Sequence, residues 1–275
     1  MTEVPVAPEF SRPGLDPDVI RALQALDDLV RDMRIDVEVP IGVTDADSAV
    51  QRYLIYLSML VDSVVADIGM SAMIKNDVMV LTKLRMLIEY STKGAYYDEH
   101  PDYALYMLTI GEAKDILHKL EDANTDPQAI ANAQIAVAEL KGRFPSVAHF
   151  HRLKFDQLMT TYATRNDYVW VYRAPSSLLH GDPEGMRTLF KRLPNGNERL
   201  VLEFPFEQVN AMLVDAANNC LRFCGHFIGR FKPDNKALIA RAHSVRLRFL
   251  HLLLKHPYGC TDEMLEVVRK EIAES

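Results

Sequence analysis

Residues 47–70 read DSAVQRYLIYLSMLVDSVVADIGM, and the fold class follows from the spacing of their apolar side chains. Leu54, Leu57, Val61, Val64, Val65 and Ile68 recur at steps of three and four. That period lines one face of an α-helix, whereas a strand would alternate every second residue. Thr44-x-x-Asp47 has the form of a capping box with Asp in place of Glu, so the helix is expected to start there and to run to about Met70. Asp62 and Asp67 interrupt it, leaving no apolar run of about 18 residues, and no membrane span is expected.

The same period extends in both directions. Asp16-Pro17 reads as an N-cap followed by proline at the first helical position. Ile20, Leu23, Leu26 and Val30 then define a helix to about Arg34. Val78, Leu81, Leu84 and Ile88 define a second long helix over about 77–97, with Arg85 inside its stripe and Glu89 at the edge. A guanidinium on an apolar face needs a partner, because a lone buried charge is costly. Two readings follow: a structural ion pair with Glu89 or with another helix's carboxylate, or a cavity that Arg85 and Glu89 line together with His180. Residues 103–122 and 127–143 read as an antiparallel helix pair with Asp126 as N-cap, and 206–231, 234–255 and 261–273 as the last helices. The one β signal is TLFKRLPNGNERLVLEF (188–204), two short runs around the hairpin pair Asn195-Gly196. The expected fold is all-α: a multi-helix bundle over 16–275 with one short β-hairpin near 188–204, preceded by a proline-bearing arm, 1–15.

With 275 residues the chain can bury a sizeable core. A net charge of −7 supplies no general attraction for nucleic acid, so any such contact needs a local basic patch. Three cysteines, Cys220, Cys224 and Cys260, form no disulfide framework and point to a reducing compartment. The N-terminus lacks the basic and apolar regions of a signal peptide, so a cytoplasmic location is expected. Cys220-x-x-x-Cys224 falls on an apolar stripe and reads as packing. His149-x-His151 has no third ligand nearby, so no metal is expected, and the absence of nucleotide-binding fingerprints leaves no cofactor expected. His149, His151, Arg152 and Lys154 read as a solvated or phosphate-facing basic stretch.

Candidate chemistry concentrates in DYVWVYRAPSSLLHGD (167–182). Tyr168, Tyr172, Ser176 and His180 recur every four residues, and Arg173, Ser176, Ser177 and His180 follow at i, i+3, i+4 and i+7. On a helix these sets occupy neighbouring strips of one face. Pro175 kinks or restarts that helix and Gly181 stops it.

Three features together carry a resemblance: Arg85-x-x-x-Glu89, the run Tyr172-x-x-x-Ser176-x-x-x-His180-Gly181, and the hairpin-then-helix ending. Over roughly residues 45–230 the chain resembles a family of mostly bacterial all-helical proteins classed as a domain of unknown function, which implies a fold and no activity. More distantly, Arg173-x6-His180 is similar to the Arg-x4–6-His signature of HEPN domains, helical bundles that include dimeric, metal-independent ribonucleases. That resemblance implies RNA as partner, a homodimer, Arg173 as the phosphate-stabilising group and His180 as general acid or base. Tyr172, Ser176, Ser177, Arg85 and Glu89 would support them. The alternative is a non-catalytic helical module that binds a nucleotide, nucleic acid or protein, with the Tyr/Ser/His run a structural hydrogen-bond network. An enzyme pairing Ser176 or Ser177 with His180 is a third reading, for which no acidic orienter is visible in the sequence.

Overall fold

The computed structural model describes residues 16–39, 41–73, 77–123, 126–162, 190–192, 198–200, 206–257 and 260–275. They form an all-α bundle. Helix α1 spans Pro17–Met33, α2 Ala46–Met73, α3 Asp77–Glu99 and α4 Pro101–Tyr106. A π-turn over Met107–Gly111 joins α4 to α5, Glu112–Asp122, and α6 follows over Pro127–Arg143. Helix α7 is Phe155–Tyr162, α8 Phe206–Phe231, α9 Lys236–Lys255 and α10 Asp262–Ala273. Two three-residue strands, β1 Phe190–Arg192 and β2 Glu198–Leu200, pair antiparallel with Phe190 opposite Leu200. The turn pair Asn195-Gly196 between them lies outside the described residues.

Helix starts follow local chemistry. Asp16 caps α1 by accepting from the Asp18 N–H at 2.9 Å, and Asp126 caps α6 by accepting from Gln128 at 3.0 Å. The cap of α2 differs from the sequence expectation by one residue. Asp45 accepts from the Ser48 N–H at 2.8 Å while Ser48 Oγ accepts from the Asp45 N–H at 3.1 Å. The reciprocal pair is therefore Asp45 with Ser48, in place of Thr44 with Asp47. The expected single helix over 103–122 starts at Pro101 and carries the π-turn at its middle.

Helix α2 is the central element, packed against α1, α3 and α4. Leu54, Val61 and Ile68 are fully buried, as the stripe requires. By length and composition its segment Ala46–Ser71 is apolar enough to cross a membrane. The aspartates do not take it out of that range, and both sit at its flanks in ion pairs. Asp62 pairs with Arg34 and Asp67 with Lys83, each at 2.5 Å. The inward face of α2 is core.

Helix α3 packs on α2 along one side and on α8 along another. Its buried line is Val80, Leu81, Leu84, Leu87, Ile88 and Ser91. Arg85 is half-buried beside that line, not within it. At Gly94 the helix lies tight against α8: an added Cβ would stand 2.3 Å from Cδ2 of the fully buried Phe223 ring. Cys220 and Cys224 are buried on the same helix, and the Cys220 contact together with burial pushes the Cys224 thiol well up. Arg241 and Arg246 on α9 make inter-element ion pairs: Arg241 reaches Asp32 on α1 and Arg246 reaches Glu271 on α10 at 2.6 Å.

Two stability predictions follow from these contacts. Gly94→Ala forces the Phe223 ring out of place and is expected to cost about 1–3 kcal/mol, lowering the thermal midpoint by several degrees in a circular dichroism melt. An unchanged midpoint would refute the close contact. Asp16 is the second. Burial alone would raise its carboxyl, but bonds from Lys255, the Asp18 N–H and His256 outweigh burial and hold it at about 2, below the ordinary 3.8. A folded value below the unfolded one means the stabilisation is complete above about pH 4 and is lost as pH falls toward 2. Asp16→Ala should therefore lower the midpoint at pH 7 and flatten its fall between pH 4 and 2.

Candidate functional site: a tyrosine-lined cleft

The cleft is assembled from four parts of the chain. Helix α2 contributes Tyr53, Tyr56 and Leu60, and α3 contributes Glu89, Tyr90, Lys93 and Tyr97. Helix α4 adds Tyr103, and the stretch entering α7 adds Arg152, Lys154 and Phe155. Its volume is about 540 Å³, within the range of small-ligand sites. Five of the eleven tyrosines of the chain face it.

Helical spacing places these side chains. Tyr53, Tyr56 and Leu60 lie at i, i+3 and i+7 along α2, and Glu89, Lys93 and Tyr97 at i, i+4 and i+8 along α3. The back wall is a run of tilted rings in contact. Tyr53 and Tyr97 lie 4.4 Å apart between centroids, Tyr97 and Tyr103 5.8 Å, and Tyr103 and Tyr106 5.9 Å. Tyr103 Oη accepts the Leu153 N–H at 2.8 Å, which ties the incoming loop to the rings. Toward solvent stand Tyr56, 57% exposed, and the half-buried Tyr90 and Phe155.

The electrostatics favour binding over proton transfer. Burial pushes the Tyr97 hydroxyl far up, with the neighbouring Tyr53 and Tyr103 adding to it. Burial likewise raises Tyr53, Tyr90 and Tyr103. These phenols stay protonated near neutral pH, so they offer ring faces and hydrogen bonds but no base. Glu89 pairs with Lys93 at 2.5 Å, and the Lys93 ammonium lies 5.9 Å from the Phe155 ring centre. Burial disfavours the Arg152 charge, but the Asp115 ion pair outweighs it and raises Arg152 further. The Lys154 ammonium, exposed at the rim, has no ion-pair partner among the described residues. No group of three His, Cys, Asp or Glu side chains among the described residues is placed to hold a metal.

Against the sequence expectations, the result is divided. Arg173, His180, Tyr172, Ser176 and Ser177 lie outside the described residues. Of the supporting pair, Glu89 lines the cleft and makes its ion pair with Lys93. The basic stretch splits: Arg152 and Lys154 border the cleft, while His149 and His151 line an adjoining hollow of about 560 Å³ with Tyr96 and His100. Sequence reasoning missed the tyrosines. The available signal was their density, with Tyr96, Tyr97, Tyr103 and Tyr106 inside eleven residues. No family model, curated protein or solved structure matches the chain.

Tyr103→Phe keeps the ring and removes the acceptor for the Leu153 N–H. The expected loss is about 1–2 kcal/mol, with faster hydrogen exchange at the Leu153 amide. Unchanged exchange there would show that the loop is held by other contacts.

Proposed function

We propose that this chain is a helical RNA-binding module whose tyrosine-lined cleft receives unpaired bases. The observation that carries the reading is the co-location of exposed and half-exposed aromatic rings with Lys93, Arg152 and Lys154. Proteins that hold single strands combine these two elements: ring faces for bases and cations for the backbone. Stacking of one base on an aromatic side chain contributes about 1–3 kcal/mol. The net charge of −7 opposes general attraction of nucleic acid, so binding must draw on local cations such as these. The cysteine count fits a reducing cytoplasmic setting.

A second reading adds catalysis. Arg173-x6-His180 has the spacing of the HEPN signature, which supports a metal-independent ribonuclease acting as a homodimer, a toxin or phage-defence effector. Arg173 would hold the phosphate through its fork of donors and His180 would move the proton at the 2′-hydroxyl or the leaving oxygen. Sequence spacing is what supports this reading. Helix α7, whose Phe155 and Leu158 line the cleft, leads along the chain into residues 163–189.

One preparation tests both readings. A labelled single-stranded RNA is titrated in EDTA, and binding is read by anisotropy while cleavage is read on a gel. Tyr56→Ala is expected to weaken binding by about tenfold, the loss of one stacked base. If wild type binds and the Tyr56 variant binds equally well, the cleft reading fails. Cleavage abolished in folded Arg173→Ala and His180→Ala would establish the ribonuclease, and intact RNA with every protein would leave a binding module.

A further inference from the structure

A second concave surface lies between α1 and α9, outside the tyrosine cleft. Its wall is a continuous strip of α9 from Ala240 to Lys255, about 22 Å long at 1.5 Å per residue. The first turns of α1 close one side through Asp18, Arg21 and Ala22. The groove has a volume of about 640 Å³. Its apolar floor is made by the buried Ala22 and Leu252 and the half-buried Leu247, with Ala240 exposed at one end.

The rim is basic. His243, Arg248, His251 and Lys255 follow one another along α9, and Arg21 faces them from α1. Asp18 is the one acidic side chain in the lining. It pairs with Arg21 and lies 3.0 Å from Lys255, which also reaches Asp16 at 2.6 Å. Arg248 and His243 stand at the surface and have no ion-pair partner among the described residues. The His251 ring bonds only locally, Nδ1 lying 2.8 Å from the Leu247 carbonyl. So Arg248 and the two imidazole planes are available, on a chain whose overall charge is −7.

We propose that this groove carries the phosphate backbone of single-stranded RNA, and this assignment rests on the proposal that RNA is a ligand of this chain. The stretch from His243 to Lys255 rises about 18 Å. At about 3.4 Å per nucleotide along a stacked strand, it spans roughly five phosphates. Arg248 offers a guanidinium for bidentate contact with a phosphate, the imidazoles of His243 and His251 offer hydrogen bonds and ring faces, and Arg21 and Lys255 stand beside them in pairs with Asp18 and Asp16. A protein helix fits less well. Helix-in-groove docking needs large apolar anchors at helical spacing, and this floor offers two leucines and two alanines.

The test uses the full chain and fluorescein-labelled rU12, with dissociation constants measured across salt. Wild type is compared with the double variant Arg248→Ala/His243→Ala and with Tyr56→Ala, all checked by circular dichroism. Both changed α9 side chains lie at the surface, so the fold is expected to survive. The double variant should bind about tenfold more weakly, with a salt slope shallower by about 0.7 for each phosphate no longer neutralised. Tyr56→Ala should weaken binding with the slope unchanged. If the double variant matches wild type in affinity and slope while Tyr56→Ala weakens binding, the groove assignment is overturned and the cleft reading stands. If only the double variant weakens binding, the cleft reading falls and the groove stands. Absence of rU12 binding by wild type overturns both. Inorganic polyphosphate is expected to compete for the groove; polyglutamate of matched charge competing equally well would overturn a phosphate site in favour of an acidic protein partner.

Discussion

The contact between Gly94 and the Phe223 ring sets the separation of α3 and α8, and much of the structure is arranged around it. A side chain at residue 94 would meet Phe223 Cδ2 at 2.3 Å and Leu54 Cδ2 at 3.6 Å, so three helices converge on a point that admits only hydrogen. Interiors pack at crystal-like density and do not yield locally to an added methyl. The tyrosine-lined cleft lies beside the same turn. Tyr97 is three residues beyond Gly94 on α3, and Tyr53 is next to Leu54 on α2. Their rings meet at 4.4 Å between centroids, tilted by 45°, just beyond that close contact. The glycine thus positions the back wall of a cleft it does not line.

Polar contacts around this junction fix its register more than its stability. Asp98, four residues after Gly94, bonds His226 Nδ1 at 2.9 Å and Arg230 Nε at 2.5 Å. Arg230 also reaches Asp47 in the first turn of α2. Burial would raise the Asp98 carboxyl, but the bonds from His226 and Arg230 outweigh it and hold it low. Ion pairs near the surface contribute little each. Their geometric effect is larger, since a slide of α8 by one turn would separate Arg230 from both carboxylates.

The helices are legible in the sequence because the signal for a helix is local. Leu54 to Ile68, the Asp16 and Asp126 caps and the runs at 206–231 and 261–273 each carry that signal within one element. The α2 cap differs by one residue because Thr44 and Asp47 match the usual pattern, whereas the fold uses Asp45 with Ser48 in reverse chemical order. Spacing assigns Arg85 to the buried stripe because Leu84 and Ile88 flank it; a helix face is about 100° wide, and its edge cannot be drawn from spacing alone. The cleft is illegible for a different reason. Tyr53, Tyr90 and Tyr103 lie on three helices, and only tertiary packing makes them neighbours. The groove is illegible for the same reason: along α9, Arg241 and Arg246 are consumed by ion pairs while His243 and Arg248 are left facing outward, a partition that only the packed neighbours decide.

That partition bears on how an acidic chain can bind a polyanion at all. A net charge of −7 acts over the whole surface, but at physiological salt its influence fades beyond about 8 Å. Within that distance a strand bound as proposed would meet Lys154 at the cleft and Arg248 at the groove, beside Lys93, Arg152, Arg21 and Lys255, whose charges are already offset by Glu89, Asp115, Asp18 and Asp16. The local field attracts while the distant one repels. Such a surface discriminates against strands that lie anywhere else, because only a ligand seated on the cations escapes the surrounding negative charge. Aromatic contacts extend the discrimination, since they reward unpaired bases and give nothing to a duplex whose bases are already stacked. The acidic composition is therefore compatible with the proposed RNA binding and would confine it to single strands that reach those positions.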